Sequence, residues 1–394
     1  MKIVLSLAIG SISELMRAGQ GVVILSVLLL MLGVVMVNSA GASVTNAPLT
    51  LKEMLLSRPA MLAVFAIGAM WLGSRFPLHL FQTRWFGMSI ILWGVLLSVL
   101  LLLAVYIPGI GRRINAANRW IDLGGFAFQP SEIAKWVLVA AVAWWGTNRA
   151  TKITSIKEGF FPAVLVLSGI CGIIAVEDLG TAVLIFGVAC IVLFAAGCKT
   201  WHFVSLLPFG LAALVGLIVM SPYRIDRLRA FLDPYDDPGD IGYHIVQSLT
   251  AISNGGIPGL GLGHGVYKFG YLPEDTTDFI FSVICEELGV VGAGAVICLY
   301  AGILILSFSI IRRCRDSFLQ LLILGITTTV GLQASMNILV VTSLAPTKGI
   351  ALPLLSNGGT GWLLTAFCIG LVNAVDRSTC AENLDSQLWQ PSHA

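Results

Sequence analysis

The chain has 394 residues, 57% of them hydrophobic and 11% charged, with a formal net charge of +2. A soluble domain carries about 25% charged residues, so this composition, with a mean hydropathy of +0.91, excludes an ordinary water-soluble globule and points to a bilayer. So small a net charge gives no reason to expect a nucleic-acid partner, and electrostatic reasoning has to rest on where the charges lie.

Crossing a bilayer takes about 17 to 25 apolar residues as a helix. Stretches of that kind fall near 20–38, 59–75, 87–107, 131–147, 160–176, 179–197, 202–220, 280–308, 318–341 and 352–374. The expected fold is therefore an all-α integral membrane protein of ten spans, one polytopic domain over 1–394, with a large extracytoplasmic loop at 221–279 between spans seven and eight and a cytoplasmic tail at 376–394. Spans five and six meet at Glu177-Asp178 and also read as one broken helix. Met1 to Gly10 lacks a strongly basic start and a small-residue cleavage site, so the first span is expected to stay as an anchor.

Orientation follows from lysine and arginine. With the N-terminus inside, cytoplasmic segments hold 12 such residues and the short outer loops 6, namely Lys52, Arg58, Arg112, Arg113, Arg119 and Lys348. Both termini are then cytoplasmic and 221–279 faces outward. The eight cysteines fall within spans or on the cytoplasmic side, which argues against a disulfide framework and a cysteine-type zinc site. The five histidines show no metal-ligand spacing.

The 221–279 segment is rich in Gly, Pro and Asp. From Tyr243 to Ile252 it carries Ile245, Leu249 and Ile252 at helical spacing, and its glycine run from Gly255 to Gly265 suits a folded, closely packed backbone better than a disordered linker. It ends in YLPEDTTDFIFSVICEELG (271–289), where five acidic residues stand among apolar ones at the edge of a span.

Several stretches carry a family resemblance: NRWIDLGGFAFQPSEIAKW (118–136), DLGTA (178–182), RIDRLRAFLDP (224–234), GYHIVQSLTAISNGG (242–256), GLGLGHGVYKFGYLPEDTTDFIFSVICEELG (259–289) and PTKGIALPLLSNGGTG (346–361). In order and spacing they resemble the SEDS family of cell-wall polymerases, which includes FtsW, RodA and SpoVE; Pro346-Thr347-Lys348-Gly349 is closer to the FtsW division branch. The resemblance implies an inverting peptidoglycan glycosyltransferase that polymerises lipid II on the outer leaflet of the bacterial cell (inner) membrane at the division septum. It also implies a class B penicillin-binding protein and other divisome proteins as partners. Membrane lipid surrounds it. No metal motif is present and no cofactor is called for, with a divalent cation (Mg or Mn) left open. A lipid II flippase and a non-catalytic scaffold are the alternatives.

Such chemistry asks for one carboxylate to take a proton from the attacking sugar hydroxyl, and for cations to meet the departing pyrophosphate. Asp278 meets the first need: Thr277 is placed to cap a helix with Asp278 in its first turn, and the matching family position is the catalytic residue. Complementing the helix N-terminus is its plain alternative. Phe279, Phe281, Glu274 and Asp275 would raise its basicity, whereas the helix dipole and any bound cation would lower it. An ionisable residue inside a span is costly, so Glu286 is expected to line a polar cavity below Asp278, or else to form a buried interhelical pair. Glu132 and Lys135, three apart behind Pro130, either neutralise one another or set Lys135 before the pyrophosphate. Asp178 and Lys348 join them as substrate-binding candidates. Arg224 and Arg227, in RIDRLR, could clasp a pyrophosphate or anchor headgroups, and so could Arg112, Arg113 and Arg119. Thr276, Glu177, His244 and Asn357 depart from the residues common in the family; Thr276 stands where His is usual.

Overall fold

A computed structural model of the chain describes residues 17–41, 51–114, 117–122, 127–268 and 275–388. The chain opens with α1 (Ala18–Ala40), the short α2 (Leu51–Leu55) and α3 (Arg58–Ser74). Ser57 caps α3, accepting from the Ala60 amide, and Pro59 sits in its first turn, where the missing N–H costs nothing. A two-stranded hairpin, β1 (Arg84–Trp85) and β2 (Met88–Ser89), leads into α4 (Ile90–Ala104). Strands β3 (Gly111–Ile114), β4 (Ala117–Asp122) and β5 (Ala127–Phe128) form a small antiparallel sheet where the sequence suggests only a loop. Then come α5 (Pro130–Asn148), α6 (Phe161–Glu177), α7 (Leu179–Ala195) and α8 (Thr200–Val219). The 221–279 segment holds α9 (Pro222–Leu232) and α10 (Tyr243–Gly255), and the chain closes with α11 (Ile280–Arg313), α12 (Ser317–Val341) and α13 (Thr360–Leu388).

The protein is an all-α membrane protein with a little sheet at its loops. Among the described residues six helices are long and apolar enough to cross a bilayer: α1, Ile156–Glu177, α8, α11, α12 and Thr360–Cys380. Helices α3, α4 and α7 are apolar but shorter. Helix α5, 19 residues long, carries Glu132 and Lys135 within the fourth expected span. Helix α8 buries only His202 and turns its apolar side chains outward, as a helix at a lipid boundary does. The apolar groups of α1, α5, α7, α11, α12 and α13 share one core.

Two expected spans are corrected. The tenth helix begins at Thr360 rather than at 352, because Pro353, Leu354 at φ 62° and Gly359 at φ 48° hold the preceding residues in turns. The eighth is broken at Gly289, whose φ of 64° and ψ of −162° are open only to glycine. There the backbone of residues 256–261 enters: Leu260 N–H donates to Glu286 O (3.0 Å) and Gly261 N–H to Glu287 O (2.9 Å), while Val290 N–H reaches Gly256 O (3.1 Å). The last carbonyls of the first half-helix are thereby satisfied by the preceding segment. Residues Ile280 to Glu287 are all buried, whereas Val290 and Val291 are exposed, so the lipid-facing part of this run starts after the break.

Candidate active site

The site forms where the turn before α11 meets the segment between α12 and α13. Asp278 is half-buried in the turn 275–278. It is not in the first turn of α11: Phe279 is the N-cap, with no side-chain cap, so the expected Thr277 cap is corrected. The physical reason is tertiary. The Asp278 carbonyl accepts from Asn337 Nδ2 of α12 at 2.7 Å, holding the turn outside the helix. Its carboxylate lies on Gly349, where an added Cβ would stand 2.9 Å from Oδ2. Phe279 and Phe281 are buried as expected, and the Phe279 ring stacks on His244 at 5.9 Å and 15°. Glu274 lies outside the described residues.

Beside Gly349, the half-buried Lys348 crosses the first turn of α7, its Cδ 3.4 Å from where a Cβ on Gly180 would stand. Burial pulls its ammonium below the usual lysine range; Asp178 opposes that, and the positive charges of Arg224 and Arg227 reinforce it. Asp178 caps α7, accepting from Thr181 N–H (3.0 Å) and Thr181 Oγ1 (2.8 Å). Arg227 donates to the Thr347 carbonyl (3.2 Å) and packs on Tyr223. Arg224 spends its guanidinium on carbonyls: Leu217 (2.9 Å), Ala175 (2.8 Å) and Val176 (2.9 Å), which ties the ends of α8 and α6 together. Arg119 donates to the Glu177 carbonyl and Arg112 pairs with Asp122 at 3.1 Å, so these two brace the sheet.

Deeper in the bundle, Lys135 is 1% exposed and donates to both Glu132 oxygens (3.0 and 2.8 Å) and to Gln333 Oε1 (3.0 Å). Glu132, at 16% exposure, is the more open end of the pair. Gln333 in turn donates to the Ala351 carbonyl at 2.8 Å.

Glu286 is fully buried: its carboxylate accepts from Val266 N–H (2.7 Å) and more distantly from Tyr267 N–H (3.4 Å), so it holds the segment ahead of Asp278. Glu287, which has no role in the sequence reading, forms a buried ion pair with Lys268 (2.8 Å), and both bond Ser39 of α1. The signal was available in the cost of a second carboxylate in the run, but its partners lie 19 and 248 residues away. Among the described residues no three His, Cys, Asp or Glu side chains gather to hold a metal.

The structure thus defines a multi-pass helical membrane protein whose charged groups converge at the end of the bundle formed by 221–279 and the α12–α13 segment. The chain belongs to the FtsW/RodA/SpoVE family, whose model, described as cell cycle protein, matches residues 20–381. It is 38% identical over 358 residues to a probable peptidoglycan glycosyltransferase FtsW of Geobacter sp. strain M18, covering 89% of this chain and 94% of that one. It is 36% identical over 359 residues to stage V sporulation protein E of Bacillus subtilis strain 168, covering 90% and 96%. Among solved structures, a chain of a peptidoglycan synthase complex that coordinates polymerization and crosslinking superposes with a TM-score of 0.72 at 28% identity, covering 91% of this chain and 98% of that one. The Thermus thermophilus rod shape determining protein RodA gives 0.59 at 25% identity, covering 91% and 96%.

Proposed function

We propose that this chain is the peptidoglycan glycosyltransferase of a cell-division machine, polymerising lipid II with Asp278 as general base. The observation that carries the reading is the seating of the Asp278 carboxylate on Gly349, one residue from a lysine framed by Asp178, Arg224 and Arg227. The base lies on Gly349, and the neighbouring residue in the chain, Lys348, brings the cations to the same segment.

In this reaction the acceptor sugar hydroxyl gives its proton to Asp278 as its oxygen bonds to the anomeric carbon of the donor. The bond from that carbon to the pyrophosphate breaks with inversion, and the electron pair leaves on undecaprenyl pyrophosphate. Lys348 and Arg227 are the cations nearest the departing charge. Arg224 fixes the helix ends around them and adds to the positive field. Glu132 presents the open end of its pair toward substrate, with Lys135 holding it from below, while Asp178 orients Lys348. Glu286 supports the loop.

The site faces outward, both termini are cytoplasmic, and a class B penicillin-binding protein crosslinks the strands as they emerge. The similarity to FtsW relatives and to a chain of a synthase complex supports the division role and the partner. The test is polymerisation of purified lipid II by the purified chain, alone and with its cognate penicillin-binding protein. Glycan strands from the wild type and none from Asp278→Asn are expected. Transbilayer movement of lipid II without strands would favour a flippase instead.

A further inference from the structure

Helix α12 passes beneath the site and offers two amides one turn apart, Gln333 and Asn337, both buried. Asn337 Nδ2 donates to two carbonyls at once, those of Asp278 (2.7 Å) and Ile350 (2.8 Å). Gln333 Nε2 takes the next carbonyl along the same segment, Ala351, and Gln333 Oε1 accepts from Lys135. One helix face therefore grips the backbone on both sides of the contact between Asp278 and Gly349.

Neither side has a regular element to hold it. Residues 275–278 form a turn and 346–359 run without a helix, so hydrogen bonds from elsewhere must fix their separation. Besides Asn337, the Asn357 N–H joins them directly, donating to Thr276 O at 2.9 Å. An asparagine amide has two donor hydrogens, and Asn337 uses them on two chain segments that the reaction needs at a fixed distance.

We infer that Asn337 is a positioning residue for glycosyl transfer, a clip on α12 that sets the distance between the Asp278 carboxylate and the Lys348-Gly349 backbone, with Gln333 extending the clip to the Glu132–Lys135 pair. The inference rests on Asp278 being the base. The Asn337 amide donates to backbone carbonyls, so its loss lets the two segments drift apart while the groups that bind substrate remain. A displacement of about 1 Å can cost roughly 100-fold in rate.

The experiment is steady-state polymerisation of lipid II by the full-length chain with its penicillin-binding protein, per molecule of monodisperse protein. Asn337→Ala and the milder Asn337→Ser, which keeps one donor, are compared with wild type. The expected result is a kcat lower by roughly 100-fold for Ala and by less for Ser, with KM within about threefold. A clip that only stabilises the fold would lower the yield of monodisperse protein and leave kcat per molecule unchanged. A replacement clip keeps the test sharp: Thr276→Cys with Asn357→Cys, at the other backbone contact, should restore most of the lost kcat to Asn337→Ala when oxidised and lose it again on reduction. If Asn337→Ala is not monodisperse, Asn337→Ser with and without the cysteine pair carries the comparison. A kcat within twofold of wild type in both variants, a change confined to KM, or no rescue when mass spectrometry shows the disulfide formed would each overturn the inference. Asp278→Asn is run alongside: if it is active, the base assignment falls and this inference with it, whereas an inactive Asp278→Asn beside a fully active Asn337→Ala rejects the clip alone.

Discussion

Replacing Lys135 by Met removes a buried cation that three acceptors share. Glu132 loses both of its contacts from Nζ, at 3.0 and 2.8 Å, and Gln333 Oε1 loses one at 3.0 Å. Breaking a buried pair by removing one partner costs about 3–5 kcal/mol. Glu132 keeps some contact with water, which places it near the lower figure, and the stranded Gln333 oxygen adds about 1 kcal/mol, for a total of about 4 kcal/mol. That is nearly a thousandfold shift in the folding equilibrium and a large share of an ordinary stability margin of about 5–15 kcal/mol. The single variant should yield far less monodisperse protein in detergent and melt earlier. Adding Glu132→Gln removes the stranded charge and should recover most of the loss, as read by thermal melting followed on size exclusion. A wild-type melt for Lys135→Met, or a double variant no better than the single one, would refute the reasoning. Polymerisation by the recovered double variant then separates two roles: normal activity leaves Lys135 a neutralising group only, whereas inactivity at normal stability places the pair at the substrate.

Asp278→Asn keeps size and hydrogen bonding but accepts no proton, so strands should vanish from a lipid II assay while membrane levels stay normal. The Lys348 ammonium is held below the usual lysine range, so it loses its charge earlier as pH rises, and turnover should fall on the basic side below the pH expected of a free lysine. Lys348→Arg, charged throughout, should move that fall upward in a pH–rate profile. Gly289→Ala should prevent folding, because the new Cβ would stand 2.3 Å from Ile257 O at a φ of 64°; loss of monodisperse protein checks this. Glu286→Gln keeps an acceptor for the Val266 amide and should lose activity only in part, so complete inactivity at normal yield would contradict its supporting role.

Hydrophobic length determined roughly where the spanning helices form, since a bilayer leaves no other way to satisfy a backbone over some twenty apolar residues, but not where they start or break. The second helix within 221–279 was also readable, and its buried face in part. The sequence period favours Ile245, Leu249 and Ile252; the structure buries Ile245 and packs Ile252 against the core, and adds Ser248, Ala251 and Gly255. Small side chains let α10 approach α11 so closely that a Cβ at Gly255 would stand 1.9 Å from Cys285 O, a choice that depends on the neighbour and not on the period. Charge placement singled out Asp278, and the i,i+3 spacing paired Glu132 with Lys135, because both are local. Tertiary structure alone decided that Glu286 serves a loop amide, that Glu287 needs Lys268 and Ser39, and that Asn337 joins Asp278 to Ile350. Each of those contacts satisfies a buried polar group with a partner remote in sequence, and a one-dimensional pattern records the need for such a partner without recording where it is.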